Sequence, residues 1–242
     1  MTAADHAPRR SPIRLRALRS TGLVLAALLA ATGLVLIWVA RVVADKFVYV
    51  SELGAAGEPN AEQFRWGMTM VAVAAAVVAA CAPRLSPRVR WLAVLPPAGV
   101  LAGAALAFGI ASQVTCTTGC PLPVGDAFTW QDLVHTVCAV IGFAGAAFVM
   151  LQLAVDARHR RLARFSLFSA VAVAVIAGVG GLLSLLRFGT HVGGVLELVA
   201  TTIALLWLVG VALFLAVDLA RAGERGQSQP SQAAVPRRVA AT

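Results

Sequence analysis

Uncharged, apolar runs recur along the whole chain at close to the roughly 20 residues a helix needs to cross the hydrocarbon core of a bilayer, and no other feature restricts the fold so strongly. They lie near residues 21–43, 66–82, 91–114, 133–155, 165–186 and 195–217. With 60% of the residues hydrophobic and 13% charged, a soluble domain of this length would have too little polar surface to cover its core. An all-α, polytopic bundle of six transmembrane helices is the fold class this pattern predicts. The first run is too long for a signal-peptide core and lacks a small-residue cleavage pattern, since Trp38, Arg41 and Val43 follow it directly.

The formal charge of +9 invites a nucleic-acid reading, but the positions of the charges argue against one. Sixteen of the 20 Lys and Arg residues fall in four places: the N-terminal arm, the loops after the second and fourth runs, and the tail. The remaining four are Arg41, Lys46, Arg65 and Arg187. Short Arg-rich loops stay on the cytoplasmic side because moving a guanidinium through hydrocarbon is unfavourable. The alternation predicts both termini in the cytoplasm of a cell whose plasma (inner) membrane holds the chain. Basic residues spread over separate loops without interleaved aromatics form no nucleic-acid groove. The domain plan is thus a basic arm over 1–17, a six-helix domain over 18–218 and a tail over 219–242; the arm and tail have little apolar surface to bury and are expected to be disordered.

Under this topology the chemically interesting residues gather on the extracytoplasmic side. Cys116 and Cys120 flank a Thr-Thr-Gly turn in an oxidising compartment, which favours a disulfide. A two-Cys metal site is the weaker alternative, because a closed zinc site takes four ligands. Asp132 and His135 stand three apart at the entry of the fourth run, so on a helix they share a face and the acid can orient the imidazole. His191 and Glu197 open the last run. Asp132, His135, His191 and Glu197 are the catalytic candidates, since ionisable groups at membrane depth face a bundle interior or a cavity. Glu52, Asp126 and Arg187 are candidate ligand-binding residues. His135 and His191 are the metal candidates, with zinc the cation, although interfacial residues that hydrate among lipid headgroups have the same pattern. The glycines at 99, 103, 178, 180 and 181 suggest close helix packing.

The segment Ser51-Glu52-Leu53-Gly54 followed by Pro59-Asn60 and Phe64, the segment Cys116-x-x-Gly119-Cys120-Pro121, and His135 entering the fourth run together resemble the bacterial membrane family called domain of unknown function 998. That family is distantly similar to the damage-regulated autophagy modulator group of six-helix proteins. The resemblance covers about residues 20–218. It implies a six-helix bundle with a structured outer face and no established enzyme activity. Members often carry a basic residue after the acidic position of the last helix, whereas here Leu198 follows Glu197.

Three functions fit these residues. The first is a non-enzymatic protein that sits in the lipid bilayer and binds a lipid headgroup or a membrane-protein partner through its outer face. The second is a metal-dependent, membrane-embedded hydrolase acting on a lipid, of the kind found in the alkaline ceramidase and progestin-receptor-like superfamily; the chain lacks a His-x-x-x-His pair. The third is a small-solute transporter, disfavoured by the scarcity of charge inside the runs.

Overall fold

The computed structural model describes residues 12–44, 49–83, 85, 87–121, 125–156, 158–186 and 188–227. Six α-helices form over them: α1 (Pro12–Val43), α2 (Ala61–Cys81), α3 (Pro97–Gln113), α4 (Trp130–Ala154), α5 (Arg160–Leu185) and α6 (Thr190–Gln227). Five are long and apolar enough to cross a membrane, and α3, with 17 residues, is the shorter sixth. Together they form an all-α polytopic bundle. No strand forms among the described residues; Pro87 and Asp156 make an isolated bridge.

Each helix packs against its neighbours in the chain, and α6 returns to pack along α1, so the six close into a ring in sequence order. Short connections impose this up-and-down path. One end carries the arginine-poor connections, where Val50 N donates to Glu197 at 2.8 Å and Thr118 Oγ1 donates to Ala56 O at 3.2 Å. At the arginine-rich end Arg88 N donates to Val155 O at 3.2 Å, and His159 lies 3.2 Å from Asp156 and 3.4 Å from Asp218. The bundle interior is aliphatic. Leu23, Ile37, Met150, Leu153 and Leu215 are fully buried, and the Trp207 indole donates to Ser166 Oγ at 3.0 Å.

The helix bounds depart furthest from the apolar runs at three places. The third run does not become one helix over 91–114, because the two prolines at 96 and 97 delay the start. Pro96 is extended (φ −66°, ψ 132°) and Pro97 takes the first turn, where its missing amide matters least. An amide is then lacking for the carbonyls just upstream, and Gln152 of α4, 1% exposed, donates to Leu92 O at 2.7 Å and Leu95 O at 2.8 Å. The other two lie where the basic arm over 1–17 and the tail over 219–242 were expected. α1 already begins at Pro12 and α6 runs on to Gln227, and their extensions meet where Arg16 donates to Ala222 O at 3.3 Å. The arm before residue 12 and the tail after 227 lie outside the described residues.

At the α1–α2 seam the two backbones approach closely. A Cβ placed on Gly33 would stand 2.6 Å from Gly67 O, and one on Gly67 would stand 2.9 Å from Gly33 O. Each glycine makes room for the other helix's backbone.

A candidate site between α4, α5 and α6

The arginine-poor end is organised around Asp132. Thr129 N-caps α4, its hydroxyl accepting from Asp132 N at 3.0 Å. The Asp132 carboxylate, fully buried, accepts from Thr117 N at 2.7 Å, Thr117 Oγ1 at 2.8 Å and Thr129 Oγ1 at 2.5 Å. These bonds pin the 115–120 loop to the start of α4 and occupy the carboxylate. Asp132 thus anchors the loop to the helix. In the pinned loop Cys116 and Cys120 are at disulfide distance, with Cα atoms 5.1 Å apart. Positive φ angles at Gly119 (82°) and Cys120 (43°) turn the chain back on itself.

One turn further along α4, His135 is 6% exposed. Its Nδ1 lies 2.8 Å from Val114 O and 3.1 Å from Ala111 O. Carbonyls only accept, so Nδ1 carries a proton. Among the described residues no hydrogen-bond partner meets Nε2 or the buried Tyr49 hydroxyl. Glu197, half-buried on α6, accepts from Val50 N in the connection between α1 and α2.

His135, Tyr49, Ser51, Cys120 and Glu197 stand at the polar end of a partly open cavity of about 710 Å³ between α4, α5 and α6. Below them the walls are apolar and small-sided. On α4 the lining runs from His135 to Ala147, and on α5 from Val173 to Gly181. The α4 stretch corresponds to about 18 Å of helical rise, close to the thickness of one leaflet's hydrocarbon, half of about 30 Å. The glycines at 178 and 181, which the sequence suggested as close-packing residues, line this space, and a Cβ on either would meet nothing within 4 Å. Gly180 does pack closely, its Cβ position lying 3.3 Å from Leu196. Gly103 likewise has nothing within 4 Å, and Gly99 meets only Pro96 of its own entry turn, at 3.2 Å.

The candidate residues from the sequence divide accordingly. His135 and Glu197 line one cavity, with Cys120 beside them. Glu52 is buried in the 3₁₀ turn Ser51–Gly54, within electrostatic reach of Glu197. Asp126 is exposed in the turn Gly125–Ala127 and His191 is exposed at the start of α6; neither lines the cavity. Arg187 lies outside the described residues. His135 lines the cavity and His191 does not. Among the described residues, the set of three possible ligands with atoms within 4.8 Å of one another is Cys116, Cys120 and His135, and two of these are the paired sulfurs. The sequence reading passed over Tyr49, although it is the only tyrosine in the chain, and over the open glycines, whose type alone does not distinguish a cavity wall from a packed seam.

No curated protein and no solved structure matches the chain. The model of the family described as "Protein of unknown function (DUF998)" matches residues 24–214, most of the bundle from α1 to α6, and the chain belongs to that family.

Proposed function

We propose that the chain is a lipid-binding membrane protein that takes an acyl chain between α4, α5 and α6 and holds the headgroup at the polar end of the cavity. One observation carries this reading: a 710 Å³ apolar space at membrane depth with polar side chains at one end. Its volume falls within the roughly 300–1,000 Å³ typical of small-molecule sites, and its shape divides into a greasy shaft and a polar cap, as an amphiphile does. Lipid is the solvent around the bundle, so no diffusion through water is needed to fill the space.

The reading includes an orientation. The arginine-rich end faces the cytoplasm, both termini included, and the polar end of the cavity faces outward across the plasma membrane, where Cys116 and Cys120 stay bridged. A tag on the tail should be reached by an impermeant reagent only after cells are opened. Labelling of intact cells would reverse the topology.

The binding claim is tested by purifying the chain from a membrane and identifying bound lipid by native mass spectrometry. The expected result is one lipid per chain, retained through delipidating washes that strip annular lipid. Gly178→Leu should abolish this retention, because the new side chain projects into open space between α4 and α5. Equal retention by the wild type and the variant would place the lipid elsewhere and end the proposal.

A further inference from the structure

We infer that the headgroup this cavity selects ends in a protonated amine, whose ammonium pairs with the Glu197 carboxylate; this rests on the lipid-binding reading above. Glu197 lines the polar end of the space and is half-buried, not sealed into the packing. Among the described lining residues none is Lys or Arg. Glu52, in the adjoining 3₁₀ turn, adds to the negative potential at Glu197. A carboxylate removed from bulk water is stabilised by a counter-charge, and ionisable groups at membrane depth are paired or face a cavity. The space is thus an apolar shaft under an anionic cap, complementary in charge and polarity to a cationic amphiphile.

The bonds that Glu197 already makes leave room for this partner. Val50 N donates to it at 2.8 Å and Ser51 N donates as well, so the connection between α1 and α2 fixes the carboxylate in place. A carboxylate offers about four acceptor positions, so two amides do not saturate it, and the N–H donors of an ammonium fit those that remain. Other headgroups fare worse. A carboxylate or a phosphate monoester brings a like charge to the cap, even where it has a proton to donate. A neutral hydroxyl donates a hydrogen bond but leaves the charge uncompensated. An ammonium supplies both the donors and the counter-charge. In a zwitterionic headgroup the amine is the end that Glu197 holds.

Long-chain amines and aminophospholipids share this chemistry, and probes of constant chain length separate it from chain binding. Full-length protein in non-ionic micelles is titrated with oleylamine, monooleoylglycerol and oleate at mildly alkaline pH, where an ordinary amine keeps its proton and an ordinary carboxyl group has lost its own. Oleylamine should bind about tenfold more tightly than monooleoylglycerol, the difference expected of one charge-assisted bond, and oleate should bind most weakly. Glu197→Gln keeps an acceptor for Val50 N and should bring the three affinities close together. The ranking in the wild type is a test on its own, whether or not the variant folds. Oleoyl lysophosphatidylethanolamine and oleoyl lysophosphatidylglycerol form a second pair, matched in chain and phosphate. A preference for the ethanolamine lipid that Glu197→Gln removes assigns the natural ligand to the aminophospholipids; equal binding of this pair alongside tight binding of oleylamine assigns it to free long-chain amines. Oleylamine binding no tighter than monooleoylglycerol, or a preference that survives in folded Glu197→Gln protein, would overturn the amine assignment while leaving the lipid site standing. Binding of none of the probes would overturn both.

Discussion

The α1–α2 seam and the α4–α5 seam are built from the same small residues and reach opposite outcomes. At the first, Gly33 and Gly67 sit opposite each other, and each backbone carbonyl fills the space where the other's side chain would be. At the second, Gly178 and Gly181 face away from any neighbour and the helices stand apart around a cavity. Small residues therefore permit contact but do not produce it. What separates the two seams is the partner: a glycine opposite a glycine closes, whereas the open α5 glycines face a space capped by polar groups from other elements.

This contrast can be broken at either seam. The largest expected effect is at the closed one. Gly33→Leu drives a side chain into Gly67 O and should lower stability in micelles by about 3 kcal/mol, the upper range for overpacking. A change under about 0.5 kcal/mol, the usual size for surface sites, would mean the seam is loose. Next comes the outer anchor. Asp132→Ala strips Thr117 and Thr129 of their shared acceptor in a buried setting and should destabilise by about 2–3 kcal/mol, read as a lower unfolding midpoint together with faster proteolysis in the 115–120 loop. Gln152→Leu should cost about 1–2 kcal/mol, because two carbonyls ahead of the Pro96–Pro97 break lose their donor. The smallest stability effect belongs to Gly178→Leu, within about 0.5 kcal/mol, since nothing stands within 4 Å of the added carbon. A large loss there would show that α5 closes on α4 and that the cavity is not maintained.

The sequence carried much of this arrangement because hydrophobic length is a local property. Five of the six runs are readable as spans from composition alone, and the alternation of Arg-rich loops already required helices running up and down. The third run misled at its start, since hydropathy does not register that Pro96 and Pro97 withhold the amides a helix needs. The helical extensions at Pro12 and Gln227 were hidden for a different reason: they are polar in sequence and held by contact with each other. At the candidate site, His135 and Glu197 were legible as ionisable residues at membrane depth. Their separation in role from Asp132 was not, because Asp132 and His135 share a helix face and differ only in what the loop ahead of them does. Thr117, fifteen residues upstream, takes up the acid, while the imidazole turns to the Val114 and Ala111 carbonyls. His191, equally polar and equally near a helix start, is exposed and is not part of the lining.

The central claim is that the space between α4, α5 and α6 holds an acyl chain. The most direct measurement is the affinity of monooleoylglycerol for the wild type and for Gly178→Leu, with the unfolding midpoint of each recorded in the same micelles. The account predicts a loss of at least about tenfold in affinity with the midpoint unchanged. Undiminished binding to a folded Gly178→Leu protein would contradict it.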